Sequence, residues 1–395
     1  MVCGLLNNAV LVGSIEGMEP IRIPHISFTS DLASTIIELE RIRTTLQGQD
    51  QTDLPLYSDL QKLFQNLSNI MSARIEGNRT TMLDALQGVR DGQSFDDGVR
   101  EILNLEKASA YIDDVVTEDF VLTEMFIREL HALAVDGLER EGDATPGSYR
   151  SSEVRIAQST HQPPGPESVP ADMRQLVEFM NKPMSPQYHL LQVAISHHRF
   201  VWIHPFGNGN GRVSRLITYA MLVKLGFTAT HGYRALNPTV VFGSDRHAYY
   251  RHLETADSLR DDDLESWCLY VLRGIESDVK NILELSSTGF VLNELYGSVL
   301  EKAYQNAVLT SRDVAVLLRI AEMGRAHAKD VEDLVPGSAA VRSKYLKKLV
   351  DRDLLYRPEG TRQYSARVQG NDLTIYVVRQ LDELGMLPQI LRDGM

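Results

Sequence analysis

Apolar positions recur at helical spacing along most of the chain. Leu32, Ile36, Ile37, Leu39 and Ile42 line up behind Ser30 or Asp31, predicting a capped helix that runs to about Gln47. A polar break at 48–55 precedes a second stripe, Leu60, Leu63, Phe64, Leu67 and Ile70, from about Ser58. Residues 98–140 read as two helices, with Leu103, Leu105, Ala108 and Tyr111 in the first. Leu122, Phe126, Ile127 and Leu130 lie in the second, with His131 as a packing histidine. Val154–Ile156 reads as a short strand before the proline-rich turn 159–170. Gln187–Trp202 is apolar on most sides and predicts a core helix; a polar loop is expected at 226–244.

Beyond a linking helix at 276–307, the pattern becomes Ser311–Met323, His327–Leu334 and about Ala340–Arg352, then a two-strand hairpin at Tyr356–Tyr364. Three helices and a hairpin resemble a winged helix-turn-helix. Between Arg342 and Arg367 the basic residues are Arg342, Lys344, Lys347, Lys348, Arg352, Arg357, Arg362 and Arg367, against Asp351, Asp353 and Glu359. That balance suits DNA phosphates, and equally a protein-binding or dimerisation wing.

The 395-residue chain carries a net charge of −13, which argues against wholesale coating of nucleic acid. Its two cysteines, Cys3 and Cys268, suggest neither a disulfide framework nor a metal cluster, so a cytoplasmic setting is expected. The first thirteen residues lack a basic leader and read as a packed segment. No run reaches the ~20 apolar residues of a membrane span.

The chemistry gathers between His204 and Arg215, in His-Pro-Phe-Gly-Asn-Gly-Asn-Gly-Arg-Val-Ser-Arg. Gly207, Gly209 and Gly211 permit close backbone approach. Val213, Leu216, Ile217, Ala220 and Met221 then mark one helical face, so the turn should open into a helix N-terminus suited to phosphate. Arg212 and Arg215, three apart, can fork onto phosphate oxygens, and His204 is a candidate general base. His197 and His198 point apart on their helix and lack a ligand-spaced glutamate, so they are read as structural.

This string resembles the signature of the Fic family at every fixed position, and the chain is similar to that family over about residues 58–275. The resemblance implies a mainly α fold: a Fic helical core with a small β-hairpin flap, here followed by the winged module. The expected division is 1–115, an N-terminal helical region; 116–275, the catalytic core; 276–307, the linker helix; and 308–395, the winged helix. The implied activity is transfer of AMP from ATP to a Ser, Thr or Tyr hydroxyl of a target protein. His204 would be the base. Gly207, Asn208, Gly209, Asn210, Gly211, Arg212 and Arg215 would bind the phosphates, and Phe206 would anchor the loop. Mg²⁺ would sit near Asn208, where the family usually has Asp or Glu. The flap would hold a target strand, Tyr249 and Tyr250 would border the adenine, and a homodimer is implied.

Ser72-Ala-Arg-Ile-Glu76-Gly77 resembles the family's inhibitory motif. Ser72 and Glu76 share a helix face and Gly77 is a natural helix stop. The resemblance implies that Glu76 takes Arg215 in place of the ATP γ-phosphate. It equally allows Glu76 to activate water for removal of AMP, and the winged module leaves open a DNA-binding regulator with a nucleotide-sensing site.

Overall fold

The computed structural model describes residues 20–48, 55–91, 96–156, 159–227, 239–243, 245–285 and 287–392. The expected packed segment at the extreme N-terminus and most of the 226–244 loop lie outside them. The molecule is mainly helical. Helix α1 (Asp31–Gly48) starts where Ser30 Oγ accepts the Ala33 N–H at 3.2 Å. Leu32, Ile36, Leu39 and Ile42 are buried, but Ile37 is 57% exposed, because one residue beyond Ile36 turns about 100° off the stripe.

Helix α2 (Pro55–Ile75) runs through the middle of the molecule, and every residue from Asn66 to Ile75 is buried. After α3 (Met82–Asp91), α4 (Asp97–Val115) and α5 (Glu124–Ala134) form the expected pair. Helices α6 (Val169–Asn181), α7 (His189–Ile203) and α8 (Asn210–Lys224) pack in sequence, and α2, α4, α5 and α7 all touch α8. The expected strand at Val154–Ile156 pairs with no neighbour among the described residues. A short helix, α9 (Thr239–Gly243), occupies the end of the expected polar loop, with Phe242 fully buried. Helices α10 (Arg246–Ala256) and α11 (Asp261–Leu285) close the core, where Trp267 Nε1 donates to Ala194 O at 2.7 Å.

The expected linking helix is broken. A π-helical stretch, Phe290–Gly297, leads into α12 (Ser298–Gln305). Helix α13 (Ser311–Met323) is followed by strand β1 (Ala326–His327) and a 3-10 turn (Ala328–Val331), where a helix was expected. The His327 N–H donates to Asp330 Oδ2 at 2.7 Å and tightens that turn, while β1 pairs with a later strand. Helix α14 (Ala339–Asp351), β2 (Leu355–Tyr356) and β3 (Gln363–Ala366) follow, giving an antiparallel sheet of order β1-β3-β2. Helices α15 (Thr374–Glu383) and α16 (Gln389–Arg392) end the described chain.

This last portion grips α2. Asp59 Oδ2 accepts the N–H groups of Val368 (2.6 Å) and Gln369 (3.0 Å), and Arg74 Nη1 donates to Ile390 O at 2.8 Å. The helix that leads into Glu76 is thus anchored at both ends by residues some three hundred positions away.

Candidate active site

Helix α7 delivers His204 by ending one residue before it. His204 adopts a left-handed backbone (φ 52°, ψ 58°) while its N–H still bonds Phe200 O at 3.0 Å. That conformation is unfavourable for a side-chain-bearing residue and needs support from its surroundings. Arg150 supplies it. Its Nε donates to His204 O at 2.8 Å, its backbone N–H to Pro205 O at 2.9 Å, and its Nη1 to Ser152 O at 3.1 Å, while Nη2 reaches Pro164 O. One guanidinium therefore joins the histidine to the neighbouring proline-rich turn.

The His204 Nδ1 lies 3.3 Å from Val201 O, so the proton sits on Nδ1 and the Nε2 lone pair is left as the base. Burial pushes the imidazole pKa down to about 4; the Val201 carbonyl opposes this and the Arg150 charge adds to it. The ring is neutral at pH 7.

The loop after His204 is braced from within. Asn210 Oδ1 accepts the Phe206 N–H and Asn210 Nδ2 donates to Phe206 O, both at 2.9 Å. Phe206 is fully buried and stacks on His131 at 3.8 Å. His131 Nδ1 accepts the Gly147 N–H (2.9 Å), so Nε2 donates to Asn208 O (3.2 Å), and burial holds its pKa at about 4. Asp143 Oδ2 accepts the Asn208 N–H at 3.0 Å. Gly209, at φ 75°, turns the chain into α8; a Cβ there would lie 2.9 Å from Val135 Cγ1. The N–H groups of Asn210, Gly211 and Arg212 then begin α8 without intrahelical acceptors, at the positive end of its dipole.

A carboxylate sits on that helix end. A Cβ on Gly211 would fall 2.2 Å from Glu76 Oε1, so only glycine leaves room for it. Arg215 Nη2 donates to Glu76 Oε1 (2.8 Å) and to Ser72 O (3.0 Å), and its Nε to Ser72 Oγ (2.9 Å). Gly77, at φ 101°, stops α2 immediately afterwards. Burial disfavours the Glu76 charge, but the Arg215 and Arg212 guanidiniums outweigh it and hold the carboxyl below its usual range. Glu76 is therefore ionised at neutral pH.

Arg212 is fully buried. Its Nη1 lies 3.2 Å from Glu101 Oε1, and its Nη2 donates to Glu141 O at 2.6 Å. Arg212 Nε and Nη1 and Arg215 Nη1 are buried donors with no hydrogen-bond acceptor. Native interiors seldom leave such donors unmatched, and an anion with several oxygens has the chemistry to match them.

Residues 121–222 match the Fic/DOC family. The chain carries a Fic domain. The protein adenylyltransferase Fic of Aedes aegypti is 29% identical over 229 residues, covering 55% of this chain and 42% of the relative. That of Drosophila grimshawi is 26% identical over 288 residues, covering 68% and 56%. The chain thus spans about half the length of the curated relatives it matches. A solved Fic family protein from Desulfovibrio desulfuricans superposes with a TM-score of 0.55 at 21% identity, covering 89% of this chain and 99% of that one. Fic-1 from C. elegans (residues 134–508) gives 0.52 at 18%, covering 65% and 74%. These structural likenesses show a shared fold.

Within the Fic domain and the helices on it, most expected site residues come together: His204, the 207–212 loop, Arg215, Ser72, Glu76 and Gly77. Three roles change. The Asn210 side chain is a loop brace, leaving its backbone N–H for the cradle. Asn208 does not fit as a metal ligand: its Oδ1 accepts the Gly209 N–H (2.7 Å) and its Nδ2 donates to Gly142 O (3.2 Å). The nearest carboxylate, Asp143, is likewise occupied by Thr145 and Asn208 N–H groups, and no group of three His, Cys, Asp or Glu suited to a metal occurs among the described residues. Tyr249 is a core residue, 2% exposed, with its hydroxyl 2.9 Å from His197 Nε2 and its ring packed on Phe242. Tyr250 is half-buried beneath the Arg246 guanidinium. His197 and His198 are structural as expected; His198 Nε2 lies 3.0 Å from Asp257 Oδ1.

Sequence reasoning missed Arg150, Asp143 and Glu101. Arg150 acts on backbone carbonyls, which leave no trace in side-chain patterns. Glu101 had one available signal, a carboxylate heading the apolar run Ile102-Leu103 on α4.

Proposed function

We propose that this protein transfers AMP from ATP to a hydroxyl side chain of a target protein, and of itself, and that Glu76 holds the reaction off. The carrying observation is the ionised Glu76 carboxylate seated on the α8 N-terminus and bonded to Arg215, beside a histidine with a free Nε2. A phosphate would occupy that same place. The adenylyltransferase names of the relatives support the reaction class.

In this reading His204 Nε2 accepts the proton of a Ser, Thr or Tyr hydroxyl. The hydroxyl oxygen bonds the α-phosphorus, the bond to the bridging oxygen breaks, and pyrophosphate leaves with its electron pair. The N–H groups of Asn210, Gly211 and Arg212, with the unmatched donors of Arg212 and Arg215, neutralise the phosphates. Arg150 fixes the histidine. A magnesium ion accompanying ATP would be held by the phosphates rather than by Asn208, and no step is derived through it. Tyr250, not Tyr249, is the remaining aromatic candidate beside the base. The homodimer is part of the proposal, and light scattering that gives the mass of one chain refutes it. The test of activity is labelled ATP with wild type, Glu76→Gly and His204→Ala. Histidine-dependent label that rises in Glu76→Gly supports the proposal, and none in any form removes it.

A second reading has its own support. Glu76 is ionised and its side chain is 26% exposed, so it can take a proton from water as the water oxygen bonds the phosphorus of an AMP-modified target. The bond from phosphorus to the target's oxygen breaks, AMP is released and the target hydroxyl leaves with a proton. Glu76-dependent AMP release from modified protein would favour it.

For residues 308–370 we propose a winged-helix module that contacts DNA. A groove of about 760 Å³ between α14 and the β2–β3 hairpin is lined by exposed Lys344, Lys347, Arg357 and Arg362. Arg342, Arg352 and Arg367 are instead engaged with Glu332, Asp372 and Asp353. Binding that weakens steeply with salt and in Lys344→Ala/Lys347→Ala supports DNA contact; no binding at low salt refutes it.

A further inference from the structure

We propose that Glu101 is a positioning residue for polyphosphate: it fixes Arg212 from behind, so that the remaining donors of that guanidinium face the nucleotide. This rests on the nucleotide reading above and names a residue that the signature does not contain.

Three observations carry it. First, the two signature arginines are held from opposite sources. Arg215 is taken by Glu76, which is partly exposed and lies over the helix end where phosphate would sit. Arg212 is paired with Glu101, which is 2% exposed on α4. A competitor must be reachable; a support need not be. Second, Glu101 is itself fixed. Asn78 Nδ2 donates to Glu101 Oε2 at 2.8 Å and to Gly98 O at 2.9 Å, while Asn78 Oδ1 accepts the Thr80 N–H at 2.8 Å. Third, Arg212 Nη1 faces Glu101 Oε1 at 3.2 Å and Nη2 donates to Glu141 O, so two anchors set the guanidinium plane while Nε has no hydrogen-bond acceptor. A planar fork held at its back presents its other donors in one direction. Asn78 follows Gly77 directly, so the segment just after α2 also braces the support of Arg212.

The test is calorimetric titration of ATP and AMP into a Glu76→Gly parent. The variants are that parent with Glu101→Gln, with Arg212→Ala, and with both. Glu101→Gln keeps the size and the Asn78 bond and removes the charge. If Glu101 acts through Arg212, its ATP Kd rises about tenfold, the scale of one charge-assisted contact, while AMP, which lacks the outer phosphates, keeps its Kd. With Arg212→Ala already present, adding Glu101→Gln leaves the ATP Kd where it was. An unchanged ATP Kd in Glu101→Gln overturns the proposal. So do equal losses for ATP and AMP, which mark a purely structural role, or a further loss on top of Arg212→Ala. Should Glu101→Gln fail to fold, Asn78→Ala reads the same quantity with both charges kept. A rise of about threefold for ATP alone supports the proposal and no change overturns it. A parent that binds no ATP refutes the nucleotide reading itself, separately from the behaviour of Glu101.

Discussion

Replacing Glu76 by glycine should convert the resting site into a competent one, and the size of the change can be bounded from the ion pair. The Glu76–Arg215 contact is 2.8 Å long; the arginine side chain is 2% exposed and the carboxylate 26%. Breaking a fully buried pair is worth about 3–5 kcal/mol, and an exposed one below about 1 kcal/mol. A pair with one solvent-touching partner falls between, at about 2 kcal/mol. The γ-phosphate must overcome that amount to reach Arg215, so removing the carboxylate raises productive occupancy roughly 30-fold. The helix loses little, because α2 already ends at Ile75. Self-labelling with labelled ATP, followed by mass spectrometry of the modified site, measures the gain. Glu76→Gln, which keeps an oxygen on Arg215 without the charge, should fall between wild type and glycine. Labelling in Glu76→Gly within about twofold of wild type would refute the competition, because a freed Arg215 and helix end cannot be neutral toward a triphosphate.

The pH dependence follows from the histidines. With His204 titrating at about 4, kcat/KM for the Glu76→Gly protein should hold level from pH 8 to below 6 and fall only in more acid solution; a midpoint near 6.5 would contradict the buried, neutral imidazole. His204 and His131 both have folded pKa values near 4 against an ordinary 6.5, so the unfolded chain binds more protons between those limits. Thermal stability is therefore fully present above about pH 6.5 and declines as pH falls toward 4, which calorimetry at stepped pH reads directly. Arg150→Ala removes the bond to the His204 carbonyl and should lower kcat at least tenfold with little change in ATP affinity; a pure affinity loss would place Arg150 elsewhere in the mechanism. Asp59→Ala leaves the partly buried N–H groups of Val368 and Gln369 without their acceptor and should destabilise the fold by about 1–3 kcal/mol in denaturant titration.

What could be read from the chain and what could not divide along one physical line. Helices are local: spacing alone located α1, α2, α4, α5, α7 and α8, and the glycine turn announced the N-terminus of α8. The signature residues were legible because one short segment carries the base, the turn and both arginines. The misassigned elements are those whose state depends on distant partners. Residues 327–334 form a strand and a tight turn because β3, nearly forty residues later, pairs with Ala326 and His327. Tyr249 is a core residue because His197 and Phe242 lie beside it, which helical spacing at 246–256 cannot reveal. Asn208 is turned inward by Gly142 and Gly209, so the resemblance implied a ligand where the fold uses a brace.

The same distinction bears on control of the site. Glu76 reaches Arg215 from the end of α2, and α2 is bonded to residues far along the chain. Asp59, early in α2, is bonded to the backbone at 368–369, and Arg74, two residues before Glu76, is bonded to the carbonyl of Ile390. The Glu76 carboxylate and the C-terminal module are therefore connected through one buried helix rather than through a flexible tether. An event that shifts the module can be felt at Arg215 only by sliding or loosening α2, and its interior position makes small displacements costly. Arg74→Ala separates the possibilities. If the Ile390 contact holds Glu76 in register, self-labelling rises toward the Glu76→Gly level while Arg215 and His204 stay intact. If labelling stays at the wild-type level in a folded Arg74→Ala protein, the register is set by the Ser72 and Glu76 contacts to Arg215 alone, and the C-terminal contact serves stability only.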